Sequence, residues 1–529
     1  MRIIFRIMMI LLPATWALSS CAQIVTRNIK TDFGAKGDGS TDDHIAFRKA
    51  AKFINARKGN TVLEIPAGTY MVGQLLKKPL SIKGEVWTDT NFSIPDSTDV
   101  FSLKQCANVT IKGSAGTQLK LKDGIKFGAF DPLTGEVPGP RSAGVIIESD
   151  WLKKGFDLIV PPHGFSLVTP AYRTKNNKTK RDTLYNAFSQ LPAGELYKHQ
   201  YNITAYWFAG YYHFNNGDKI DSVFINFMPT VKWAGNKNVS MSGGSIFKFY
   251  ECKKINISNI AIDGNSRNHI LGGSYNSALP QGYEMNSTAI YIGDCADIKI
   301  DNVRETDFGT IGLHIKNRND YFKDADQNIV ISNSSFSKNG WANFYVSGGK
   351  GIRASFSKFD SSGFAANGKV KTAPLSGMGF EDETGTGVKN VTITNCTSLY
   401  NNGAPFNNAY ENDASFTVKN SSFHAFDDFT LIAAKDSYFE NCKFFNPVNY
   451  YNSGLADRNK VEFVNCFFTD SIGPFSNKNP TKQFLFGAGV VNSVLRFDGC
   501  VFEAHFGYFD YIPGSAKNTV SISNCSFTQ

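Results

Sequence analysis

The chain has 529 residues, of which 42% are hydrophobic, 19% charged and 13% aromatic, with 47 glycines and 44 phenylalanines but only 19 prolines. This composition excludes a disordered chain, a collagen-like chain and a small disulfide-bonded scaffold, and it favours β-structure with many tight turns. The formal net charge of +9 suits an anionic partner. The dispersed basic residues and the absence of a recognition motif argue against nucleic acid as that partner.

The first 22 residues have the features of an export signal. Arg2 and Arg6 flank an apolar run, residues 7–18, that is too short to span a bilayer. The LSSC sequence at residues 18–21 resembles the bacterial lipobox, which would place a lipid on Cys21; cleavage after Ala22 is the alternative. Either route predicts an exported bacterial protein, which is periplasmic, secreted or held at the outer membrane or cell surface. Membrane contact is expected only through the lipid anchor.

An amphipathic helix is predicted over about residues 42–57. Thr41, Asp42 or Asp43 can cap its N-terminus, so the two aspartates are interpreted as capping and turn residues rather than catalysts. Its apolar face would consist of Ile45, Ala46, Phe47, Ala50, Ala51 and Ile54.

The sequence around this helix resembles a known family. DFGAKGDGSTDD at residues 32–43 and TVLEIPAGTY at residues 61–70 are similar to the opening of the pectate-lyase-like superfamily. NVSMSGGS at residues 238–245 and IDGN at residues 262–265 continue the resemblance, which covers residues 27–75 and 236–529. It implies a polysaccharide-degrading right-handed parallel β-helix, with the first helix capping the stack and the active site on the outer side of one sheet.

Residues 139–235 depart from this pattern and are interpreted as an insertion. The segment contains a cluster of five basic residues at 173–181 and then an aromatic-rich stretch at residues 201–214. The basic residues are Arg173, Lys175, Lys178, Lys180 and Arg181. Two interpretations stay open: a solvated loop with irregular coils, or a projection that overhangs the groove and contacts an anionic glycan.

The second half of the chain repeats a strand–turn–strand unit. Clear copies are NIVISNSSF at 328–336, NVTITNCTS at 390–398, SFTVKNSSF at 415–423, KVEFVNCFF at 460–468 and TVSISNCSF at 519–527. One unit cannot bury its apolar face alone, so successive units must stack, with every second side chain facing inward. The sequence therefore predicts an all-β domain over residues 23–529, a single-stranded right-handed parallel β-helix with an N-terminal capping helix.

Two files of side chains are predicted at the turn of each repeat. An amide ladder would consist of Asn333, Asn395, Asn420, Asn441, Asn465 and Asn524. Reduced, structural thiols facing the interior would be Cys396, Cys442, Cys466, Cys500 and Cys525. No C-x-x-C motif occurs, so no zinc site is predicted.

Alternation also predicts an outward row of side chains in neighbouring coils, about 4.8 Å apart. Tyr291, His314 and Tyr345 each lie between two apolar residues that would face inward. Lys316 and Glu381 would lie beside the row, and the same reasoning points Asp428 and Thr430 outward. Arg318 would wall one end of the row, and Arg267 with His269 the other. Such a row could follow a polysaccharide.

Two reaction types suit this row. In β-elimination on a uronic acid, Lys316, Arg318 or Arg267 would neutralise the substrate carboxylate while His314 and Tyr345 exchange protons. Solvent exposure would keep the pKa of His314 useful near neutral pH. In hydrolysis, a pair of carboxylates would flank the glycosidic bond, drawn from Glu381, Asp382 and Glu383 or from Asp427 and Asp428.

The preferred prediction is an exported, monomeric lyase that acts on an acidic polysaccharide. The basic charge and the absence of the carboxylate clusters and GHG motif of polygalacturonase-type hydrolases favour a lyase over a hydrolase. A noncatalytic glycan-binding protein is the further alternative. No cofactor is predicted with certainty, although the carboxylate run at residues 381–383 is a candidate Ca²⁺ site.

Overall fold

The computed structural model describes the chain outside the leader, with gaps. The described residues are 23–73, 99–127, 242–271, 286–371, 374–385, 387–408, 414–426, 430–432, 436–451, 459–470, 484–489, 493–504, 507–511 and 519–528, together with short strands between residues 75 and 228. The predictions for Cys21, for Asp427 and Asp428, and for the basic residues 175–181 lie outside the described residues.

These residues form the predicted right-handed parallel β-helix, in which each coil contributes strands to three faces. The first face contains Val25–Asn28, Gly59–Ile65, Ala107–Gly113, Lys253–Asp263, Ala296–Thr306, Ile329–Ser332, Gly349–Ser355, Val388–Thr394, Ser415–Lys419, Asp436–Glu440, Asn459–Val464, Ser493–Asp498 and Thr519–Ser523. The second face shares the two long strands Lys253–Asp263 and Ala296–Thr306 with the first. Its other strands are Asp38–Asp42, Gly68–Val72, Thr117–Leu121, Ser335–Ser337, Lys358–Asp360, Thr397–Asn401, Ser422–Ala425, Lys443–Phe444, Phe467–Thr469, Val501–Glu503 and Ser526–Thr528.

The third face is a separate parallel sheet and carries the predicted row. Its strands are Phe101–Lys104, Ser242–Tyr250, Asn286–Gly293, Ile311–Lys316, Ala342–Val346, Ser376–Phe380, Phe406–Asn407, Thr430–Ile432, Val448–Tyr451, Phe484–Gly489 and Gly507–Tyr511. Thr430 is buried and pairs with Val448, so the prediction that it faces outward is wrong. In this strand, Leu431 rather than Thr430 pairs in register with Asn407 and Asn449 of the neighbouring coils.

Short strands outside the three faces pair locally. Within the predicted insertion, Gly144–Glu148 and Ser166–Thr174 pair antiparallel with Ile220–Met228, and Phe156–Val160 pairs with Gly210–Phe214. The remaining pairs are Leu75–Leu76 with Ile94–Pro95, Leu80–Ile82 with Glu85–Trp87, and Lys126–Phe127 with Ile270–Leu271. The antiparallel strands of the insertion differ from the parallel stack around them.

A helix, α1 (His44–Ala56), packs against the N-terminal end of the stack. Its Asn55 side chain donates to the carbonyl of Ser102 at 2.8 Å and accepts from the amide of Lys104 at 2.9 Å. The helix thus satisfies backbone groups that the first strand of the third face would otherwise leave unpaired at the sheet edge. The predicted apolar face of α1 is confirmed except for Ile45, which is 49% exposed.

The residues that precede α1 organise a turn. Asp43 occupies the N-cap position, yet its carboxylate accepts from the amides of Lys36 and Gly37 rather than from the helix. Asp42 accepts from the amide of His44 at 3.0 Å. The interpretation of both aspartates as turn and capping residues is therefore confirmed. The described residues contain two further short turns, the 3₁₀ helix Ser266–Asn268 and α2 (Ala365–Gly368), in which Ala366 and Asn367 have left-handed backbones. None of the described helices is long and apolar enough to cross a membrane.

The interior consists of stacked files, as the repeats predict. Phe444, Phe468 and Phe502 stack ring on ring with centroids 5.0 and 4.9 Å apart. The eight cysteines of the described residues are free thiols, and all except Cys525 are buried. The prediction of reduced, inward-facing cysteines is confirmed, and burial of this kind makes a thiol a small core residue.

The predicted amide ladder is only partly present. All six asparagines are exposed and have left-handed backbones with φ of 50–54°, which Asn tolerates better than most residues. Asn441 donates to Asn420 at 3.2 Å, but Asn333 and Asn524 donate to Asp301 and Asp498 instead. What the repeat requires at this turn is therefore the backbone conformation.

Candidate active site

The predicted row is a file on the outer side of the third face. Tyr291 pairs in register with His314, and His314 with Tyr345. Their ring centroids lie 5.2 and 5.1 Å apart, one coil to the next. The register continues to Lys248 on one side and to Gly379 on the other. Period-2 alternation therefore identified both the face and the coil neighbours correctly.

His314 lies in this file but does not face solvent. Its side chain is only 8% exposed, because Tyr291 and Tyr345 pack on either side and Nε2 lies 2.8 Å from the hydroxyl of Ser347. Burial lowers the pKa of His314 to about 4. The prediction of an exposed histidine with a near-neutral pKa is wrong, since alternation reports the side of a sheet but not what covers it. At neutral pH the imidazole is uncharged.

Tyr345 is also buried, and its ring lies between Trp341 and Gly379. The indole of Trp341 packs on it with centroids 4.8 Å apart. On the other side, a Cβ at Gly379 would lie 2.9 Å from Tyr345 Cδ2, so the missing side chain makes room for the ring. Trp341 and Ser347 are site residues that sequence reasoning missed; Ser347, two residues after Tyr345, could have been found by extending the same alternation.

The hydroxyl of Tyr345 meets two carboxylates from the next coil. It lies 3.0 Å from Glu381 Oε2 and 2.9 Å from Glu383 Oε1, and Lys316 Nζ lies 2.6 Å from Glu383 Oε2. Glu381 directly follows the strand Ser376–Phe380, and the chain then turns, which brings both glutamates to one side chain. Lys316, Tyr345, Glu381 and Glu383 are called the Tyr345 cluster below.

The contacts of the Tyr345 hydroxyl require a shared proton. A phenol has one hydrogen and can donate it to only one of the two carboxylates. The phenol therefore donates its hydrogen to either Glu381 or Glu383 at any one time. Burial raises the pKa of Glu381, the charge of Glu383 raises it further, and the hydrogen bond from Tyr345 opposes both. Burial and the two carboxylates raise the pKa of Tyr345 well above its usual range, so the phenol stays protonated.

The predicted walls of the groove consist of ion pairs. Arg318 binds Asp294 through Nε and Nη2 at 3.0 and 2.7 Å. Arg267 bridges Asp263 and Asp307, at 2.6 Å to each. Arg318 follows the strand Ile311–Lys316 and Arg267 lies in the 3₁₀ helix Ser266–Asn268, and each already has a carboxylate partner. Their role in neutralising a substrate carboxylate stays a prediction.

His269, the remaining residue of the predicted site, and Lys248 lie beside these ion pairs. His269 follows the 3₁₀ helix that carries Arg267; it is buried, and burial lowers its pKa to about 4. Lys248, which the sequence did not single out, lies over the ring of Tyr291 at 5.7 Å and pairs with Asp99 at 3.2 Å. Each of four cations has an acidic partner, namely Lys248, Arg267, Lys316 and Arg318.

The carboxylate run at residues 381–383 does not converge on one point. Asp382 accepts from the amides of Thr384 and Gly387 in its own turn, whereas Glu381 and Glu383 meet Tyr345. Within the described parts of the chain, no three His, Cys, Asp or Glu side chains are arranged to hold a metal ion. These donors do not fit Ca²⁺ as they are placed, and no chemical step below passes through a metal.

Comparison with known proteins agrees with the fold. Residues 26–126 match the family described as "Rhamnogalacturonase A/epimerase, pectate lyase-like", so the resemblance predicted from the sequence is confirmed over this segment. No curated protein matches the chain in sequence.

Solved structures that resemble the chain do so remotely. The A-module of mannuronan C-5 epimerase AlgE4 from Azotobacter vinelandii has a TM-score of 0.46 at 13% identity and covers 95% of this chain and 96% of its own. PfbA, a surface adhesin of Streptococcus pneumoniae, has 0.43 at 12%, covering 95% and 91%. Endo-xylogalacturonan hydrolase from Aspergillus tubingensis has 0.37 at 12%, covering 93% and 91%. These likenesses are too remote to carry function.

Proposed function

We propose that this pectate-lyase-like chain is a glycan-cleaving enzyme that works by hydrolysis at the Tyr345 cluster. The observation that carries the proposal is the single hydroxyl shared by two carboxylates, one of them ion-paired. Two carboxyl groups whose environments differ are the usual means of supplying an acid and a base or nucleophile to a glycosidic bond. The family that matches residues 26–126 is named for a rhamnogalacturonase, which supports a polysaccharide as substrate.

The roles follow from the environments of the two glutamates. Glu381, whose pKa burial raises, is the general acid that protonates the glycosidic oxygen. Glu383, held by Lys316, is the carboxylate that acts as nucleophile or base. Because both approach one hydroxyl, their nearest oxygens lie within about 6 Å of each other, which suits the short separation of retaining glycosidases. Retention of configuration at the anomeric carbon is the expected outcome.

The charges at the Tyr345 cluster indicate which kind of sugar binds at the cleavage point. The cations beside the row are each paired with a carboxylate, and the Tyr345 cluster itself contains two acids and one base. An uncharged sugar at the cleavage point avoids repulsion from these acids. We expect any acidic sugars of the polymer to bind further along the row rather than between Glu381 and Glu383.

β-Elimination on an acidic polysaccharide, the reaction preferred from sequence, is the second candidate. The neutral imidazole of His314 packs against Tyr345, and Lys316 lies two residues after His314 on the same strand. In this reaction Lys316 or Arg318 would exchange its protein carboxylate for that of the substrate. The protonated Tyr345 would serve as the acid.

One assay separates these candidates. The purified protein is incubated with a panel of neutral and uronic-acid polysaccharides, while reducing ends and the ultraviolet absorbance of unsaturated products are both followed. Hydrolysis is supported if reducing ends form without ultraviolet absorbance and if Glu381→Gln and Glu383→Gln abolish their formation. Elimination is supported if ultraviolet absorbance appears and depends on His314 and Tyr345. The matched control is Glu503→Gln, because Glu503 is a half-buried glutamate on the second face, away from the Tyr345 cluster. If substitutions of Glu381, Glu383, His314 and Tyr345 all left the activity unchanged, the site would be refuted.

Export and a monomeric state are proposed on the sequence alone. The leader at residues 1–22 supports export, with or without a lipid on Cys21. Mass spectrometry of the mature N-terminus distinguishes lipidation from cleavage after Ala22, and light scattering measures the oligomeric state.

A further inference from the structure

A second concave surface lies on the first face, away from the sheet that carries the Tyr345 cluster. It is a cavity of about 350 Å³ that crosses four successive strands, Val388–Thr394, Ser415–Lys419, Asp436–Glu440 and Asn459–Val464. Since neighbouring strands are about 4.8 Å apart, the four strands span about 14 Å. The cavity, called the first-face groove below, has the extent of a short oligosaccharide.

Two outward files form the sides of the first-face groove. Asn390, Ser415, Asp436 and Lys460 form one side, and Thr417, Tyr438 and Glu462 form the other. The floor lies at Phe416 and Ser437, whose side chains are buried. The hydroxyl of Ser437 makes no hydrogen bond within the described residues, although it sits in a core file between Phe416 and Val461. The Ser437 side chain therefore faces the interior of the β-helix and does not contribute a contact to the groove.

The chemistry of the lining matches a ligand rich in hydroxyl groups. Hydroxyl, amide, carboxylate and ammonium groups alternate over adjacent coils, with a single aromatic ring, that of Tyr438, among them. An apolar ligand would find few partners here, because sites for such ligands are lined mainly by hydrophobic side chains. A sugar can use the polar groups as donors and acceptors and the ring as an apolar contact.

The charges of the groove balance one another. Glu462 pairs with Lys460 at 3.1 Å and lies 3.6 Å from Arg496. Beside it, Lys419 pairs with Glu440 at 2.8 Å and lies 5.6 Å from the centroid of Tyr438, which holds the ring against the sheet. Counting Asp436, three acids face three bases at this surface, so neither a polyanion nor a polycation is favoured.

We propose that the first-face groove binds a neutral oligosaccharide segment, with Tyr438 as its apolar contact. The groove and the Tyr345 cluster are on different faces, so binding here does not require the cleavage reaction. Such a site would hold one part of a polysaccharide on the protein while another part of the same polysaccharide reaches the third face.

Calorimetric titration tests this proposal. The probes are cellohexaose, mannohexaose and xylohexaose, with hexagalacturonate as the anionic comparison, and the protein carries Glu381→Gln to prevent turnover. We expect at least one neutral hexasaccharide to bind, and Tyr438→Ala to weaken its binding at least fivefold. Thr417→Arg, which fills the groove from the neighbouring strand beside the ring, should weaken binding as well. The matched control is Tyr400→Ala, because Tyr400 is an exposed tyrosine outside the groove.

The outcomes separate this proposal from the proposed function. Binding that depends on Tyr438 and Thr417 supports the groove even if no polysaccharide is cleaved. The absence of binding by any neutral hexasaccharide, stronger binding of hexagalacturonate, or equal affinities for the Tyr438 and Tyr400 variants would each overturn it. Circular dichroism and thermal melts of each variant establish that a lost affinity does not come from misfolding.

Discussion

The third face has a pair of carboxyl groups on its outer side and a single buried carboxyl group on its inner side. Outside, Glu381 and Glu383 share the hydroxyl of Tyr345. Inside, Glu305 is only 1% exposed and accepts from Asn339 Nδ2 at 2.9 Å, while its second oxygen has no partner within the described residues. A Cβ at Gly312 would lie 2.4 Å from Glu305, so the strand that carries His314 can pass over this carboxyl only because residue 312 is glycine.

Glu305 and Glu381 show that a raised pKa alone does not identify a reactive site. Burial raises the pKa of Glu305 and of Glu381, the former far more. Only Glu381 has a second carboxylate, a cation and partial access to solvent beside it. Desolvation alone shifts a pKa in either place, so the shift becomes a functional sign only when other reactive groups and an approach for substrate accompany it.

The largest effect is expected from Glu381→Gln. Removing the general acid should reduce turnover by about 10² to 10⁴, because proton transfer contributes that order of rate. The side chain is partly exposed, so Tm should change little. Turnover of the cleaved polysaccharide and a thermal melt measure the two quantities, with Glu503→Gln as the control. Near-normal turnover in Glu381→Gln would remove the outer cluster from the reaction.

His314→Ala should lower stability as well as activity. The buried imidazole loses its packing between two tyrosines and its bond to Ser347, and about 2–4 kcal/mol of unfolding free energy is expected to be lost at pH 7.

The pH dependence of this effect has a defined sign. The pKa of His314 is about 4 in the folded state and about 6.5 when unfolded, so the unfolded state binds more protons between these values. Wild-type stability should therefore fall as pH falls from about 6.5 toward 4, and the variant should show a shallower fall. Denaturant unfolding across this range measures both. Parallel curves for the two proteins would argue that His314 is exposed and titrates normally.

Glu305→Gln should stabilise the protein without changing turnover. The folded state raises the pKa of Glu305, so its stability contribution is lost as pH rises above the unfolded value of about 4.3. Glutamine keeps an acceptor for Asn339 and carries no charge, and a gain of about 1–3 kcal/mol is expected at pH 7 and almost none at pH 4. Thermal melts at both pH values test this, with Glu503→Gln as the control. A destabilised variant at pH 7 would show that Glu305 is paired in its charged form.

The smallest effect is expected from Tyr345→Phe. Loss of one hydrogen bond to a charged group should lower turnover by about tenfold, while the ring keeps its place beside Gly379. The hydrogen bond from Tyr345 lowers the pKa of Glu381, so its removal should raise that pKa and move the alkaline limb of the pH–rate profile to higher pH. An alkaline limb that moves to lower pH would mean that Tyr345 does not donate a hydrogen bond to Glu381.

The sequence by itself determined the features that depend on local period. The Asn-Cys and Asn-Ser turns predicted the coils, and alternation predicted the inward cysteines and the file of Tyr291, His314 and Tyr345. These features need only the chain on either side of a residue, because a strand turns every second side chain to the same face. Alternation failed at Thr430, where the described strand is three residues long and its phase has little support.

Only the tertiary structure decided what those side chains meet. His314 is buried by rings from the coils before and after it and by Ser347, 33 residues away along the chain. Tyr345 reaches Glu381 across 36 residues, and Lys316 reaches Glu383 across 67. The arginines and lysines that a sequence offers to substrate are already paired with acids of other coils. Coils of irregular length bring these groups together, so burial, charge and pKa at the site depend on stacking that no local pattern encodes.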